Sequence, residues 1–195
     1  MLRNKLKEYN IILASASPRR QAFFKELDLD YTIDVKSVNE TYPSRLKGSE
    51  ITDYLSQLKA SVFSDLGEND ILITSDTIVW KDGKALEKPS NAKEAKIMLQ
   101  QLSGEMHEVF TSVSFTSKNF QKTVNDATKV WFKPLTDEEI EYYINTYKPF
   151  DKAGSYGIQE WIGYIGIEKI EGCYFNVMGL PTRLVYKTLT EFAAR

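Results

Sequence analysis

The sequence predicts an α/β fold, in which a mixed, twisted sheet is flanked by helices and extended by a hairpin into a second lobe. Two short apolar runs, residues 11–13 and 71–73, have the length of buried strands. Between them, residues 49–66 carry apolar side chains at helical spacing. Residues 108–115 and 123–132 are rich in β-branched and aromatic side chains, and we expect them to pair as two further strands.

The first helix is predicted immediately after the first apolar run. Ser17 suits the N-cap position and Pro18 the first helical position, where its missing N–H group is not needed. This helix should continue to about residue 27. Beyond it, alternation over residues 31–35 predicts a half-buried strand, and the polar residues 38–48 predict a loop.

The helix predicted over residues 49–66 places Lys59 at the edge of its apolar stripe. The stripe comprises Ile51, Tyr54, Leu55, Leu58 and Val62. A lysine in that position can simply extend its stem over apolar surface and keep its ammonium group in water. It can equally direct the ammonium group into a site, and the pattern leaves both interpretations open.

The second apolar run is predicted to deliver Ser75, Asp76 and Thr77 at or near the carboxyl end of a strand, where α/β sheets usually bind ligands. A carboxylate there can also serve as an Asx-turn that caps the strand end. Residues 78–86 then resemble a hairpin with Asp82-Gly83 at its turn.

The remaining elements have local start signals. Asn91 with Glu94, and Thr136 with Glu139, predict capping boxes that open two helices. Ile165 and Ile167 alternate as in a strand, and a terminal helix is predicted from the apolar residues Leu184, Val185, Thr188 and Phe192. No repeat or long linker interrupts the chain, so residues 1–195 are predicted to form a single domain of two lobes that share one core.

The overall composition limits the functions to be considered. The net charge is −2, which favours neither nucleic acid nor an anionic membrane as a partner. A single cysteine, Cys173, excludes an internal disulfide and a cysteine-based zinc site, and we expect a reducing, cytoplasmic location. His107 is the only histidine, and a structural hydrogen bond is its expected role. No apolar run has the length of a membrane span.

Arg19 and Arg20 occupy the first turn of the first predicted helix, where the helix dipole disfavours cations. A bound anion would reverse this effect, because N–H groups, dipole and guanidinium groups would then all act on it. The strand, loop and helix therefore predict a phosphate site. Exposed, solvated arginines are the alternative interpretation.

These residues belong to a set of motifs that resembles the Maf family of nucleoside triphosphate pyrophosphatases. The motifs follow one another in the family order over nearly the whole chain. They are S-A-S-P-R-R from Ser15, S-D-T-I-V from Ser75, L-E-K-P from Leu86, L-S-G-E-M-H from Leu102, D-K-A-G-S-Y-G-I-Q from Asp151 and N-V-M-G-L-P from Asn176. The resemblance implies a Maf/ITPase-like fold with an active-site cleft between its lobes.

The resemblance also implies an active site. It marks Asp76, Lys59 and Lys88 as catalytic, with Asp76 as the general base. It further marks Ser15, Arg19, Arg20, Thr77 and Gln159 as substrate-binding, and Glu40 with Asp76 as ligands of Mg²⁺ or Mn²⁺. Family members commonly carry an acidic residue before this glutamate, whereas this chain has Asn39. The ion would therefore depend more on Glu40, Asp76 and the nucleotide.

Gln159 bears on which base is accepted. Its amide offers a donor and an acceptor, which matches the paired N–H and C=O groups of uracil or thymine. The Maf resemblance implies the branch that acts on dTTP and UTP, since the 7-methyl-GTP branch tends to carry glutamate there. The alternative is that Gln159 only caps a turn. Two other functions stay open: a 7-methyl-GTP-type pyrophosphatase, and a nucleotide-binding regulator of septum formation with little turnover. A homodimer also stays open.

Overall fold

A computed structural model describes residues 1–194 and confirms the mixed α/β class. The helices are α1 (Leu2–Lys5), α2 (Pro18–Glu26), α3 (Ser49–Ser61), α4 (Ala92–Leu102), α5 (Asp137–Tyr147), α6 (Trp161–Gly166), α7 (Tyr174–Val177) and α8 (Thr182–Phe192), with a 3₁₀ turn at Ala153–Ser155. None of these helices, within residues 1–194, combines the length and the apolar character that crossing a membrane requires.

The strands form one seven-stranded sheet in the hydrogen-bonded order β2-β1-β3-β5-β6-β7, with β4 paired to β3. They are β1 (Asn10–Leu13), β2 (Thr32–Ile33), β3 (Asp70–Lys81), β4 (Lys84–Leu86), β5 (Met106–Ser117), β6 (Phe120–Phe132) and β7 (Ile167–Glu171). β1 runs parallel to both β2 and β3, whereas β4 and β7 pair antiparallel with β3 and β6. The sheet is therefore mixed, as predicted.

The chain divides into two compact units. The first contains Met1–Asp76, Thr111–Asp126 and the described residues from Gly179 onward. The second contains Thr77–Phe110 and Ala127–Met178. Each unit is built from several chain segments, so neither corresponds to a continuous stretch of the sequence.

In the first unit, the predicted start of α2 is confirmed. The Ser17 side chain accepts a hydrogen bond from the backbone N–H of Arg20, and Pro18 opens the helix. Phe23 and Phe24 on this helix are buried, as is Leu13 on β1. The apolar runs therefore form the interior of this unit.

α3 buries hydroxyl groups together with apolar side chains. Thr52 and Ser56 are fully buried, and their hydroxyls lie 2.6 and 2.8 Å from those of Ser112 and Ser114 on β5. Because each buried hydroxyl has a hydrogen-bond partner, the unfavourable desolvation of these groups is offset. The helix that carries Lys59 is thus held against the sheet by a line of hydroxyl contacts.

In the second unit, apolar side chains from β3, α4, β6, α5 and α6 form one cluster. Its largest buried members include Leu99, Phe132, Tyr143 and Ile162. The hairpin predicted over residues 78–86 is confirmed. Asp82 and Gly83 both have positive φ, as a type I′ turn requires.

Four element predictions need correction. The strand expected over residues 31–35 is only Thr32–Ile33, and Ile33 and Val35 are 51% and 52% exposed rather than half-buried. α3 ends at Ser61 instead of residue 66, and Tyr54 and Val62 of the expected stripe are exposed. Residues 75–77 lie inside β3 and not at its end, and Ile165 belongs to α6.

Candidate active site

β3 positions the acidic residue of the site. Only Asp70–Ile73 of this strand pair with β1, so Asp76 lies directly beyond the parallel part of the ladder. Successive side chains of a strand point to opposite faces, so Thr74 and Asp76 share a face. The Thr74 hydroxyl donates a hydrogen bond of 2.6 Å to the carbonyl of Ser56 on α3. Asp76 therefore points to the face that α3 covers.

Lys59 joins two carboxylates. Its Nζ lies 2.7 Å from Oδ1 of Asp76 and 3.0 Å from Oε2 of Glu40. The side chains of Lys59 and Asp76 are only 18% and 9% exposed, whereas that of Glu40 is 46% exposed. The ammonium group is thus held between two carboxylates rather than extended into water. A partly buried ion pair of this kind is less screened than a surface pair.

The loop before α2 is ordered by hydrogen bonds around Ser15. The buried Ser15 accepts a bond of 3.2 Å at its Oγ from the backbone N–H of Ser17. Its carbonyl accepts a bond of 3.1 Å from the side chain of Gln21. These bonds fix the loop immediately before the first turn of α2, where Arg19 is half-buried.

Arg20 is bound to two backbone segments of the first unit. Its Nε donates to the carbonyl of Gly179 at 2.9 Å, and its Nη1 donates to the carbonyl of Ser75 at 3.0 Å. Burial lowers the pKa of this guanidinium group, Arg19 adds to that effect, and Asp76 and Glu40 oppose it. Arg20 therefore places positive charge beside the carboxylates and ties the Ser75 backbone to the segment at Gly179.

The donors present fit a divalent ion that takes few protein ligands. Glu40 and Asp76 already share one cation, the Lys59 ammonium group. Among residues 1–194, no group of three or more His, Cys, Asp or Glu side chains could hold a metal ion. Mg²⁺ is commonly held by one or two carboxylates together with substrate phosphates and water. The carboxylate pair fits that pattern.

In the second unit, Gln159 lies within a tight turn. The carbonyl of Gly157 accepts a hydrogen bond of 2.9 Å from the N–H of Glu160. The Oε1 of Gln159 is buried and has no hydrogen-bond partner among residues 1–194. A buried amide oxygen without a partner is unfavourable unless a ligand completes it. Gln159 thus lies in the expected turn, but its oxygen caps nothing there.

A buried ion pair beside Gln159 was missed by the sequence analysis. Lys152 is 8% exposed, and its Nζ lies 3.1 Å from Oε1 of Glu160 and 2.7 Å from Oδ1 of Asp151. The Tyr143 hydroxyl donates to the other oxygen of Glu160. Lys152 falls within the motif that starts at Asp151, but no periodic apolar pattern in this segment indicates that it is buried.

The predicted site residues are divided between the two units. Ser15, Arg19, Arg20, Glu40, Lys59 and Asp76 belong to the first unit, where Lys59 contacts both carboxylates. Thr77, Lys88 and Gln159 belong to the second. Thr77 is half-buried and Lys88 is exposed.

His107 has a structural environment in the second unit. It is buried, its Nε2 lies 2.7 Å from the Tyr156 hydroxyl, and its ring stacks on Phe132. Burial, with a smaller contribution from Lys81, lowers the pKa of His107 from 6.5 to about 3. The imidazole is therefore neutral near pH 7.

Comparisons with known proteins identify a family and a fold. The Maf-like protein family matches residues 10–192. A protein of Christiangramia forsetii named dTTP/UTP pyrophosphatase is 61% identical over 98% of both chains. Proteins of the same name from Flavobacterium johnsoniae and Bacteroides thetaiotaomicron are 58% and 48% identical, over 97% and 95% of this chain and 98% and 97% of their own lengths.

A solved structure of a HAM1 protein from Coxiella burnetii resembles this chain with a TM-score of 0.51. The match covers 94% of this chain and 99% of that chain. At 14% sequence identity, it establishes similarity of fold alone.

Proposed function

This chain belongs to the Maf-like protein family, and on that premise we propose that it hydrolyses dTTP and UTP to the monophosphate and pyrophosphate. The single observation that carries the proposal is the Lys59 ammonium group held between Glu40 and Asp76. The relatives named dTTP/UTP pyrophosphatase support the same activity.

In this proposal Asp76 is the general base. A water molecule attacks the α-phosphorus, the bond from that phosphorus to the bridging oxygen breaks, and pyrophosphate leaves. The Lys59 hydrogen bond engages Oδ1 of Asp76, so Oδ2 is the atom assigned to take the proton of the water. The ammonium group also fixes the carboxylate orientation, which general-base catalysis requires.

Cations of the chain neutralise the triphosphate in this proposal. Arg19 at the start of α2 adds its guanidinium group to the helix N-terminus, which favours phosphate oxygens. Lys59 and Lys88 supply ammonium groups, which stabilise the negative charge that develops on the leaving pyrophosphate. Ser15 and Arg20 hold the loop and the Ser75 backbone in place.

Metal dependence is part of the proposal. Glu40 and Asp76 would hold Mg²⁺ or Mn²⁺ together with the nucleotide phosphates. When bound, the ion supplies Lewis-acid polarisation of the phosphoryl oxygens. A homodimer, the absence of nucleic-acid binding and a cytoplasmic location stay predictions from the sequence.

Gln159 is the residue that we assign to reading the base, with Thr77 as a further contact to substrate. The unpartnered Oε1 of Gln159 supports this assignment, because an N–H of uracil or thymine would satisfy it. A base whose donor and acceptor are placed differently from those of uracil and thymine would leave part of the amide unpaired, which makes discrimination strong.

The test is product analysis with dTTP in ¹⁸O-water and Mg²⁺. We expect pyrophosphate and dTMP, with the heavy oxygen in dTMP. dTDP with orthophosphate would place the attack at the γ-phosphorus and overturn the proposal. Asp76→Asn should abolish most of the turnover. Asp82→Asn is the matched control, because that exposed aspartate lies in the hairpin turn.

A further inference from the structure

Glu160 is the centre of a buried polar cluster in the second unit. Each of its carboxylate oxygens has a different partner: Oε1 lies 3.1 Å from the Lys152 ammonium group, and Oε2 accepts the Tyr143 hydroxyl proton. The side chain of Lys152 is 8% exposed, and Tyr143 is fully buried. A lysine in such a position is retained only when its charge is paired.

The cluster is connected directly to the turn that carries Gln159. The Tyr143 hydroxyl accepts a hydrogen bond of 3.0 Å from the backbone N–H of Gly157 while it donates its proton to Glu160. The N–H of Glu160 closes the turn by its bond to the Gly157 carbonyl. The phenol therefore bonds the backbone at one end of the turn and the side chain of the residue at the other end.

The space within the turn is equally restricted. A Cβ atom added at Gly157 would lie 3.0 Å from Nε2 of Gln159 and 2.9 Å from Cδ of Glu160. Only glycine at this position lets the Gln159 amide and the Glu160 carboxylate occupy their places. The Gln159 amide and the Glu160 carboxylate therefore both lie against Gly157 in the same confined space.

We propose that Glu160, held by Lys152 and Tyr143, is a positioning residue that orients the Gln159 amide and thereby sets the preference for thymine and uracil. This inference rests on the proposed function and extends it to residues that do not contact the substrate. An amide displaced by a fraction of an ångström can no longer match the donor and acceptor of the base simultaneously. Loss of the cluster should therefore reduce discrimination between bases, and not only activity.

The experiment compares two variants, Lys152→Met and Tyr143→Phe, each of which removes one contact to Glu160 and keeps glutamine at position 159. Tyr143→Phe also removes the acceptor of the Gly157 N–H. The matched controls are Lys133→Met, which removes the ammonium group from another Lys–Glu pair of this unit, and Tyr147→Phe. kcat/KM is measured with dTTP and dATP. Dissociation constants are measured calorimetrically with the α,β-methylene analogues of the same nucleotides.

We expect both variants to lower the dTTP-to-dATP ratio of kcat/KM by roughly tenfold or more, through weaker use of dTTP. The dissociation constant of the dTTP analogue should rise, and that of the dATP analogue should stay the same. In the control variants, the dTTP-to-dATP ratios of kcat/KM and of the dissociation constants should both equal those of the unmutated protein. If Lys152→Met does not fold, Tyr143→Phe decides, because it retains the ring and the ion pair.

Equal losses for dTTP and dATP would overturn the inference, because they would mean that the cluster only supports the fold. An unchanged ratio in a folded variant would overturn it as well. Failure of the proposed function has a different signature: the unmutated protein would release no pyrophosphate from dTTP or bind both analogues equally. That result would remove the base preference on which the inference depends.

Discussion

One buried group, His107, should make a distinct contribution to the pH dependence of stability. Its Nε2 contacts the Tyr156 hydroxyl, and its Nδ1 is buried with no hydrogen-bond partner among residues 1–194. Burial raises the pKa of the Tyr156 phenol, which therefore stays protonated. Protonation of the imidazole would create a buried charge and leave an N–H group at Nδ1 unpaired, and both effects are unfavourable.

The magnitude follows from the two pKa values of His107. The pKa falls from 6.5 to about 3 on folding, so the folded state favours the neutral imidazole. The neutral imidazole therefore makes its full contribution to the free energy of unfolding above pH 6.5. This contribution is lost as the pH falls from 6.5 to about 3. At pH 5 the loss is about 2 kcal/mol, which corresponds to a decrease of about 4–8 °C in Tm.

Urea unfolding of the unmutated protein and of His107→Gln, at pH 7.5 and pH 5, measures this contribution. Glutamine can still bond the Tyr156 hydroxyl but does not titrate. Because the carboxylates are the same in both proteins, their effects cancel in the difference. The stability advantage of the unmutated protein should shrink by about 2 kcal/mol between pH 7.5 and pH 5. An advantage that does not change with pH would refute the reasoning.

Four other changes have defined outcomes. Asp76→Asn should lower dTTP turnover by roughly 10²–10⁴-fold in a protein that still folds, and near-normal turnover would assign the base elsewhere. Lys59→Met removes the cation between the two carboxylates, so Mn²⁺ should bind more tightly without nucleotide in EPR titrations. Gln159→Glu should erode the preference for dTTP over dATP in kinetic assays. Leu99→Ala, at a fully buried position, should reduce the free energy of unfolding by about 2–5 kcal/mol in urea titrations.

The elements that sequence reasoning located well are those with local signals. The cap at Ser17, the capping box of Thr136 and Glu139, and the Asp82-Gly83 turn each depend on residues within four positions of one another. The Asn91 cap was also located, although Glu94 accepts its bond from the N–H of Ser90 instead of Asn91. These contacts form within a segment, so the sequence alone contains the necessary information.

The features that sequence reasoning missed depend on partners distant in the chain. Thr52 and Ser56 are polar, yet they are buried because β5 supplies Ser112 and Ser114 about 60 positions later. Their burial turns α3 so that Tyr54 is exposed, which the apolar stripe did not predict. The buried Lys152 likewise needs Glu160 and the surrounding fold, and a residue pattern cannot supply a low-dielectric environment.

Arg19 and Arg20 illustrate the same limit within the candidate site. They are adjacent and chemically identical, and the sequence assigned both to phosphate binding. Neighbours on a helix point about 100° apart, so the same residue type can enter two different environments. Arg20 donates two hydrogen bonds, to the carbonyls of Ser75 and Gly179, and burial lowers the pKa of its guanidinium group. A lysine could not make both bonds from one fixed plane, so the planar guanidinium group itself is what holds the strand segment next to Asp76.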